Sequence, residues 1–213
     1  MKKLLLVIIV LFTVSQMSYA QRGRKKEGYK GYYGVSIGPS FPMGDFKGTS
    51  DTKEGQGFAI TGIHIAFANV GYKLAGPFGL AAQVFAGANR MDVKSIGFDD
   101  KDAYWAYGGV MVGPLGSFDF GPMTVDVRPV VGLAYVATPE LNSNSGGVLF
   151  KSDRNSAVSY DLAASLRYHF SEKGCIGLNL DYFSTKVDFK RDEVSYSQQI
   201  STLGVGLGLT FGI

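Results

Sequence analysis

The chain ends in a strict alternation. Leu203, Val205, Leu207, Leu209, Phe211 and Ile213 fall on one face of an extended segment, and Thr202, Gly204, Gly206, Gly208, Thr210 and Gly212 on the other. This period of two predicts a β-strand with one greasy face and one nearly bare face. In a soluble sandwich the second face would carry polar side chains towards water. Glycines with an occasional hydroxyl suit the crowded inside of a narrow closed barrel instead. The apolar face must then meet lipid, and strands cross a bilayer only when a closed sheet pairs every backbone group.

The same alternation recurs upstream. Val158, Tyr160, Leu162, Ala164, Leu166, Tyr168 and Phe170 form an outward series against Ser159, Asp161, Ala163, Ser165, Arg167 and His169. After the polar turn Ser171-Glu172-Lys173-Gly174, Ile176, Leu178, Leu180 and Tyr182 oppose Gly177, Asn179, Asp181 and Phe183, which predicts a hairpin. Val125, Val127, Pro129, Val131, Leu133 and Tyr135 oppose Thr124, Asp126, Arg128, Val130, Gly132 and Ala134, and Pro129 predicts a bulge or a locally unpaired position. Ile63, Ile65 and Phe67 oppose Gly62, His64 and Ala66, and Tyr33, Val35, Ile37, Pro39 and Phe41 oppose Gly34, Ser36, Gly38 and Ser40. In 80–92 and 104–117 small and aromatic residues fall on both faces, which leaves inside and outside unassigned there.

Eight strands follow, near 32–42, 58–73, 78–92, 103–117, 122–138, 157–170, 175–189 and 198–213. Their connections sort into two kinds. Those around Leu74 to Pro77, Phe118 to Gly121 and Ser171 to Gly174 are short; the other four are longer and polar, as in Pro139 to Ser156. Short turns on one side and long loops on the other predict an all-β, eight-stranded antiparallel up-and-down transmembrane β-barrel in the outer membrane, with both termini periplasmic.

The amino terminus agrees with export. Met1-Lys2-Lys3 is a basic head, Leu4 to Val14 an apolar run, and Ser18-Tyr19-Ala20 a small-residue cleavage site, so 1–20 reads as a signal peptide. Residues 21–31 then form a short basic periplasmic segment and 32–213 the barrel. Loss of Lys2 and Lys3 lowers the formal charge from +3 to +1, which leaves no field for nucleic acid. The single cysteine, Cys175, cannot form an internal disulfide, lies far from the cleavage region and reads as a small packed residue.

Gly34-Val35-Ser36-Ile37-Gly38-Pro39-Ser40-Phe41-Pro42-Met43-Gly44-Asp45-Phe46 resembles the first strand and loop of the small outer-membrane β-barrel domain proteins common in Bacteroidetes-type bacteria. The chain from Tyr32 to Ile213 fits their eight-strand layout. Relatives of that kind range from structural barrels like outer-membrane protein X to accessory barrels of secretion systems such as PorT. The last strand is similar to the assembly signal read by the barrel-insertion machinery, with Gly208, Phe211 and the terminal Ile213 at its offsets, although that signal usually ends in Phe. The resemblance implies location and fold, with outer-membrane lipid, the assembly machinery and other envelope proteins as partners.

Inward positions carry Asp126, Arg128, Asp161, Arg167, His169, Asn179 and Asp181. Charges inside so narrow a barrel must be paired, so these residues are expected to form one hydrogen-bonded ionic cluster. Such a cluster acts as a structural plug or, alternatively, as a path for protons or solute. His64 and His169 lack the serine and carboxylate company of a catalytic base at the outer rim, which argues against an enzyme. Asp99, Asp100 and Asp102 do not match the spacing of a calcium loop, and no cofactor or metal is expected. Arg22, Arg24, Lys25 and Lys26 read as a soluble leader, and Tyr29, Tyr32 and Tyr33 as interfacial anchors. Three functions stay open: a structural or surface-interaction barrel, an accessory subunit of a secretion or assembly complex, and a narrow channel or carrier of small hydrophobic molecules.

Overall fold

The computed structural model describes residues 30–48, 56–96, 103–142, 148–191 and 194–213. In chain order the strands are β1 (Gly31–Pro42), β2 (Gly62–Ala75), β3 (Phe78–Arg90), β4 (Tyr104–Phe120), β5 (Met123–Ala137), β6 (Leu141–Asn142), β7 (Val148–Phe150), β8 (Arg154–His169), β9 (Gly174–Arg191) and β10 (Val194–Gly212). Eight of them close into one antiparallel ring in the order β1-β10-β9-β8-β5-β4-β3-β2, while β6 and β7 pair only with each other. Each of the eight segments expected from alternation is thus a barrel strand.

Burial follows the alternation closely. Val158, Leu162, Leu207 and Tyr135 stand exposed on the wall, whereas Asp161, Ala163, Phe183 and Thr202 are buried inside. Exposed rings gather towards both strand ends: Tyr33, Tyr72, Phe78, Phe118, Tyr168 and Phe211 on the short-turn side, and Tyr104, Tyr135 and Tyr160 on the loop side. Two of the short turns are the dipeptides Gly76-Pro77 and Gly121-Pro122. Their glycines adopt φ of +57° and +63°, a region closed to most side chains and suited to a two-residue hairpin.

The structure shifts some boundaries. β2 starts at Gly62 and not near 58, because the preceding residues fold back on the first loop: Gly57 N donates to Asp45 O at 2.9 Å and Ala59 N to Phe46 O at 2.9 Å. β9 and β10 run longer than expected because their ladder continues through Tyr196↔Phe189, whose rings stack at 5.3 Å, to Val194↔Arg191. The stretch 139–156 also departs from a plain loop, since it contains the β6–β7 pair and the start of β8.

Pro129 causes no bulge, and the β5–β8 ladder runs through Pro129↔Leu162. On its other side the β4–β5 pairs stop at Val112↔Val131 and resume at Gly116↔Val127. That gap holds Pro114 and Pro129, neither of which has an N–H to give. The predicted unpaired position is therefore real and confined to one seam.

Glycine spacing inside the ring has two different causes. A Cβ on Gly38 would collide with the Val205 carbonyl and lie 2.7 Å from the Gly206 Cα, so β1 and β10 meet there only because Gly38 has no side chain. A Cβ on Gly204 would find nothing nearer than 3.6 Å. Gly38→Ala is accordingly expected to destabilise the folded barrel by about 1–3 kcal/mol, while Gly204→Ala leaves it within about 0.5 kcal/mol of the parent. Urea titration of the folded fraction in lipid checks both, and equal sensitivity at the two positions would contradict the assignment.

Candidate functional site

The barrel interior divides into three layers. At the short-turn end Arg167 of β8 grips Asp126 of β5, with Nε at 2.8 Å from Oδ2 and Nη2 at 3.1 Å from Oδ1. Both side chains are almost wholly enclosed, and the fork geometry matches the two carboxylate oxygens. The Arg167 guanidinium also sits 4.1 Å from the centre of the Tyr32 ring. Tyr32, expected at the membrane interface, is therefore an inside residue; only Tyr33 of the two faces outward. β1 alternates, so adjacent tyrosines cannot share a face.

Below this pair a relay reaches the rim. Cys175 Sγ lies 3.3 Å from His169 Nδ1, His169 Nε2 lies 2.8 Å from Thr124 Oγ1, and Thr124 Oγ1 donates to Asp119 Oδ1 at 2.7 Å. Lys73 completes the chain, donating to Asp119 Oδ2 at 2.7 Å. Cys175 is buried as expected of a packed residue, with a polar neighbour that sequence did not suggest.

The middle layer holds Arg128, Asp161, Asp181 and Asn179, joined by His64 of β2 and Gln83 of β3. Gln83 Nε2 donates to Asp161 Oδ2 at 3.2 Å. Arg128 Nε and Nη2, Asp161 Oδ1, Asp181 Oδ1 and His64 Nε2 find no hydrogen-bond partner among the described residues. The seven inward polar residues therefore do not join in one network. Asp126 and Arg167 form a tight pair, His169 belongs to the rim relay, and the remainder have few direct bonds among the described residues.

The loop half holds rings and aliphatic side chains together with uncharged polar ones such as Asn89, Ser184 and Thr202. His64 stacks on Phe85 with ring centres 5.6 Å apart, Phe85 meets Phe183 at 5.1 Å, and Phe183 stacks on Tyr107 at 5.2 Å. Above them Val136, Val187 and Ile200 fill the bore, and Phe46 from the first loop drops in edge-on against Trp105 at 5.8 Å. Trp105 Nε1 donates to Gly57 O at 2.7 Å, so the one polar atom of the indole is satisfied by the loop that covers it. Tyr107 OH and Ser40 Oγ each donate to Asn89 Oδ1 at 3.0 Å, and Asn89 Nδ2 donates to Ile60 O at 2.8 Å. At the mouth a recess of about 260 Å³ is lined by Trp105, Met91, Leu141, Tyr196, Gln56 and Gln198.

These aromatics are what alternation alone did not place. β3 and β4 carry rings on both faces, yet the tight turn at Gly121-Pro122 sets Ser117 opposite Asp126, and counting back from that pair turns Leu115, Met111, Tyr107 and Trp105 inward. The carboxyl-terminal trio lies along the closing seam. Gly208 faces in, Phe211 faces out, and Ile213 N donates to Gly31 O at 2.8 Å. Asp99, Asp100, Asp102, Arg22, Arg24, Lys25, Lys26 and Tyr29 lie outside the described residues. Among the described residues no group of three or more His, Cys, Asp or Glu is placed to hold a metal ion.

Removing one partner of the enclosed pair leaves a bare charge, so Asp126→Ala or Arg167→Ala is expected to destabilise the barrel by about 3–5 kcal/mol. The double variant Asp126→Leu/Arg167→Met should recover most of that loss, measured by urea titration of the folded fraction. Additive single-variant losses in the double variant would show that the two side chains act separately.

No family model matches the chain, and no curated protein does. Solved structures do resemble it. Neisserial surface protein A superposes with a TM-score of 0.55 at 10% identity, over 86% of this chain and 97% of that one. The attachment invasion locus protein Ail of Yersinia pestis gives 0.46 at 18% identity over 85% and 99% of the two chains. A major outer membrane protein of Thermus thermophilus gives 0.47 at 12% identity over 86% and 99%. With its ring of eight antiparallel strands, the chain has the fold of the small eight-stranded outer-membrane β-barrels.

Proposed function

We propose that this chain is an integral outer-membrane barrel without enzymatic activity, whose role is structural or surface-interacting and is carried by its long loops. The observation behind this reading is the union of an exposed apolar wall with a bore filled by side chains. A wall studded with exposed Ile, Leu and Val between two sets of rings suits lipid, and it would be a large liability in water. A filled bore leaves the loop side as the place where such a barrel meets other molecules, and the recess beside Trp105 and Tyr196 lies there. The short turns and both termini belong on the periplasmic side in this arrangement. Gly208, Phe211 and Ile213 serve as the assembly signal, and lipid and the insertion machinery are the first partners.

Outer-membrane fractionation with heat-dependent gel migration tests the placement: the chain is expected in the membrane as a fast-migrating form that slows on boiling, and a soluble periplasmic monomer would overturn it. Deleting Phe211-Gly212-Ile213 should abolish the fast-migrating form in cells while purified protein still folds into detergent. Equal yield in cells would remove the trio from any signalling role.

A narrow channel is the second reading, favoured by the polar residues in half of the bore. The stacked Phe85, Phe183 and Tyr107 oppose it, because a ring stack leaves no wet passage. In planar bilayers the parent protein is expected to give no steady conductance, and Phe85→Ala/Phe183→Ala to give a small one. Steady currents from the parent would establish the channel.

A further inference from the structure

We propose that the barrel holds an internal water site at mid-height, between Arg128, Asp161, Asp181 and His64, beside Gly204. Four observations converge on it.

The first is unmet bonding capacity of both signs. Arg128 Nε and Nη2 are donors; Asp161 Oδ1, Asp181 Oδ1 and Gln83 Oε1 are acceptors; His64 Nε2 is either. All five side chains belong to residues at most 4% exposed. A buried polar atom without a partner costs about 1–3 kcal/mol, so several on facing strands must be satisfied by something. A cation would serve the oxygens and leave the guanidinium bare, and an anion would do the reverse. Water donates and accepts, and serves both.

The second is charge. Among the described residues the buried interior counts three carboxylates, Asp126, Asp161 and Asp181, against two guanidiniums, Arg128 and Arg167. One of each is consumed by the Asp126–Arg167 pair, which leaves Arg128 between two acids and in need of solvation.

The third is room. A side chain begun at Gly204 would come no closer than 3.6 Å to Asp181 Cβ and 3.7 Å to His64 Cγ. A methyl group at Gly204 would rest in ordinary contact with Asp181 and His64, so room of that size exists beside two of the residues with unmet atoms. Water in a polar cavity needs about 10–15 Å³ and two to four partners.

The fourth is the lid. Phe85 and Phe183 meet at 5.1 Å on the loop side and shut the site from the mouth.

The full chain, labelled with ¹³C and ¹⁵N and folded in lipid bilayers, decides this by solid-state NMR with polarisation transferred from water. The carboxyl carbons of Asp161 and Asp181 and the Arg128 guanidinium are expected to gain signal as fast as exposed Asp119, while Phe183 and Val130 lag. A lag at the Asp161 and Asp181 carboxyls equal to that of Phe183 would overturn the proposal. Gly204→Val, which fills the space, should abolish rapid transfer to Asp181 and spare Asp119. Unchanged transfer to Asp181 would place the water elsewhere and refute the site, and the parent measurement stands alone should the variant not fold.

Discussion

Everything in this molecule depends on pairing the backbone of the first strand with that of the last. A sheet with two free edges would expose a row of unpaired N–H and C=O groups, each costing several kcal/mol in a hydrocarbon setting. Joining β1 to β10 removes both edges at once, from Tyr32↔Gly212 to Pro42↔Thr202. The consequence is felt inside, where eight strands enclose a bore too narrow for two large side chains at every level. Hence the last strand is bare where β1 approaches it, and hence bulk on β3, β4 and β9 lies opposite absence on β10.

That narrowness explains why the interior is layered and not uniform. Charges sit where short turns lead quickly to solvent, and the tightest of them, Asp126 with Arg167, are matched atom for atom. Rings, aliphatic side chains and uncharged polar ones such as Asn89 occupy the half under the long loops, where Phe46 descends from the first loop as a stopper. Oxygen and nitrogen atoms caught between these regimes, on Arg128, Asp161 and Asp181, have neither bulk solvent nor direct partners among the described residues. The border between the layers is therefore the chemically least settled part of the molecule.

Sequence made the wall legible and the bore only partly so. An outward face must be apolar at every second position, and residues such as Val158 to Phe170 therefore announce themselves. Inward positions obey a weaker rule, since glycine, aspartate and phenylalanine are all admissible provided that the opposite wall compensates. That compensation links strands far apart in the chain, as between Gly204 and His64 or Phe183 and Tyr107, and alternation within one strand carries no trace of it. The same limit explains the seven polar residues. Strand and face were readable for each, but distance across the bore was not, so an ionic network was expected where the structure has one tight pair, a rim relay and a remainder with few direct bonds. Tyr32 failed for a simpler reason: beside Tyr33 it looked like half of an anchor, and only the count along β1 separates them.

The closing seam also sets a clock. Ile213 bonds to Gly31, partners separated by nearly the whole barrel sequence, so their direct meeting carries more loop-closure entropy than any hairpin does. Neighbouring strands can zip locally, and β9 with β10 does so without interruption from Val194↔Arg191 to Phe211↔Gly174. The ring is thus a chain of quick hairpins that waits on one slow encounter. Until that encounter happens, two sheet edges stay open to any other strand nearby, and the interval belongs to whatever holds the half-finished sheet apart from its neighbours.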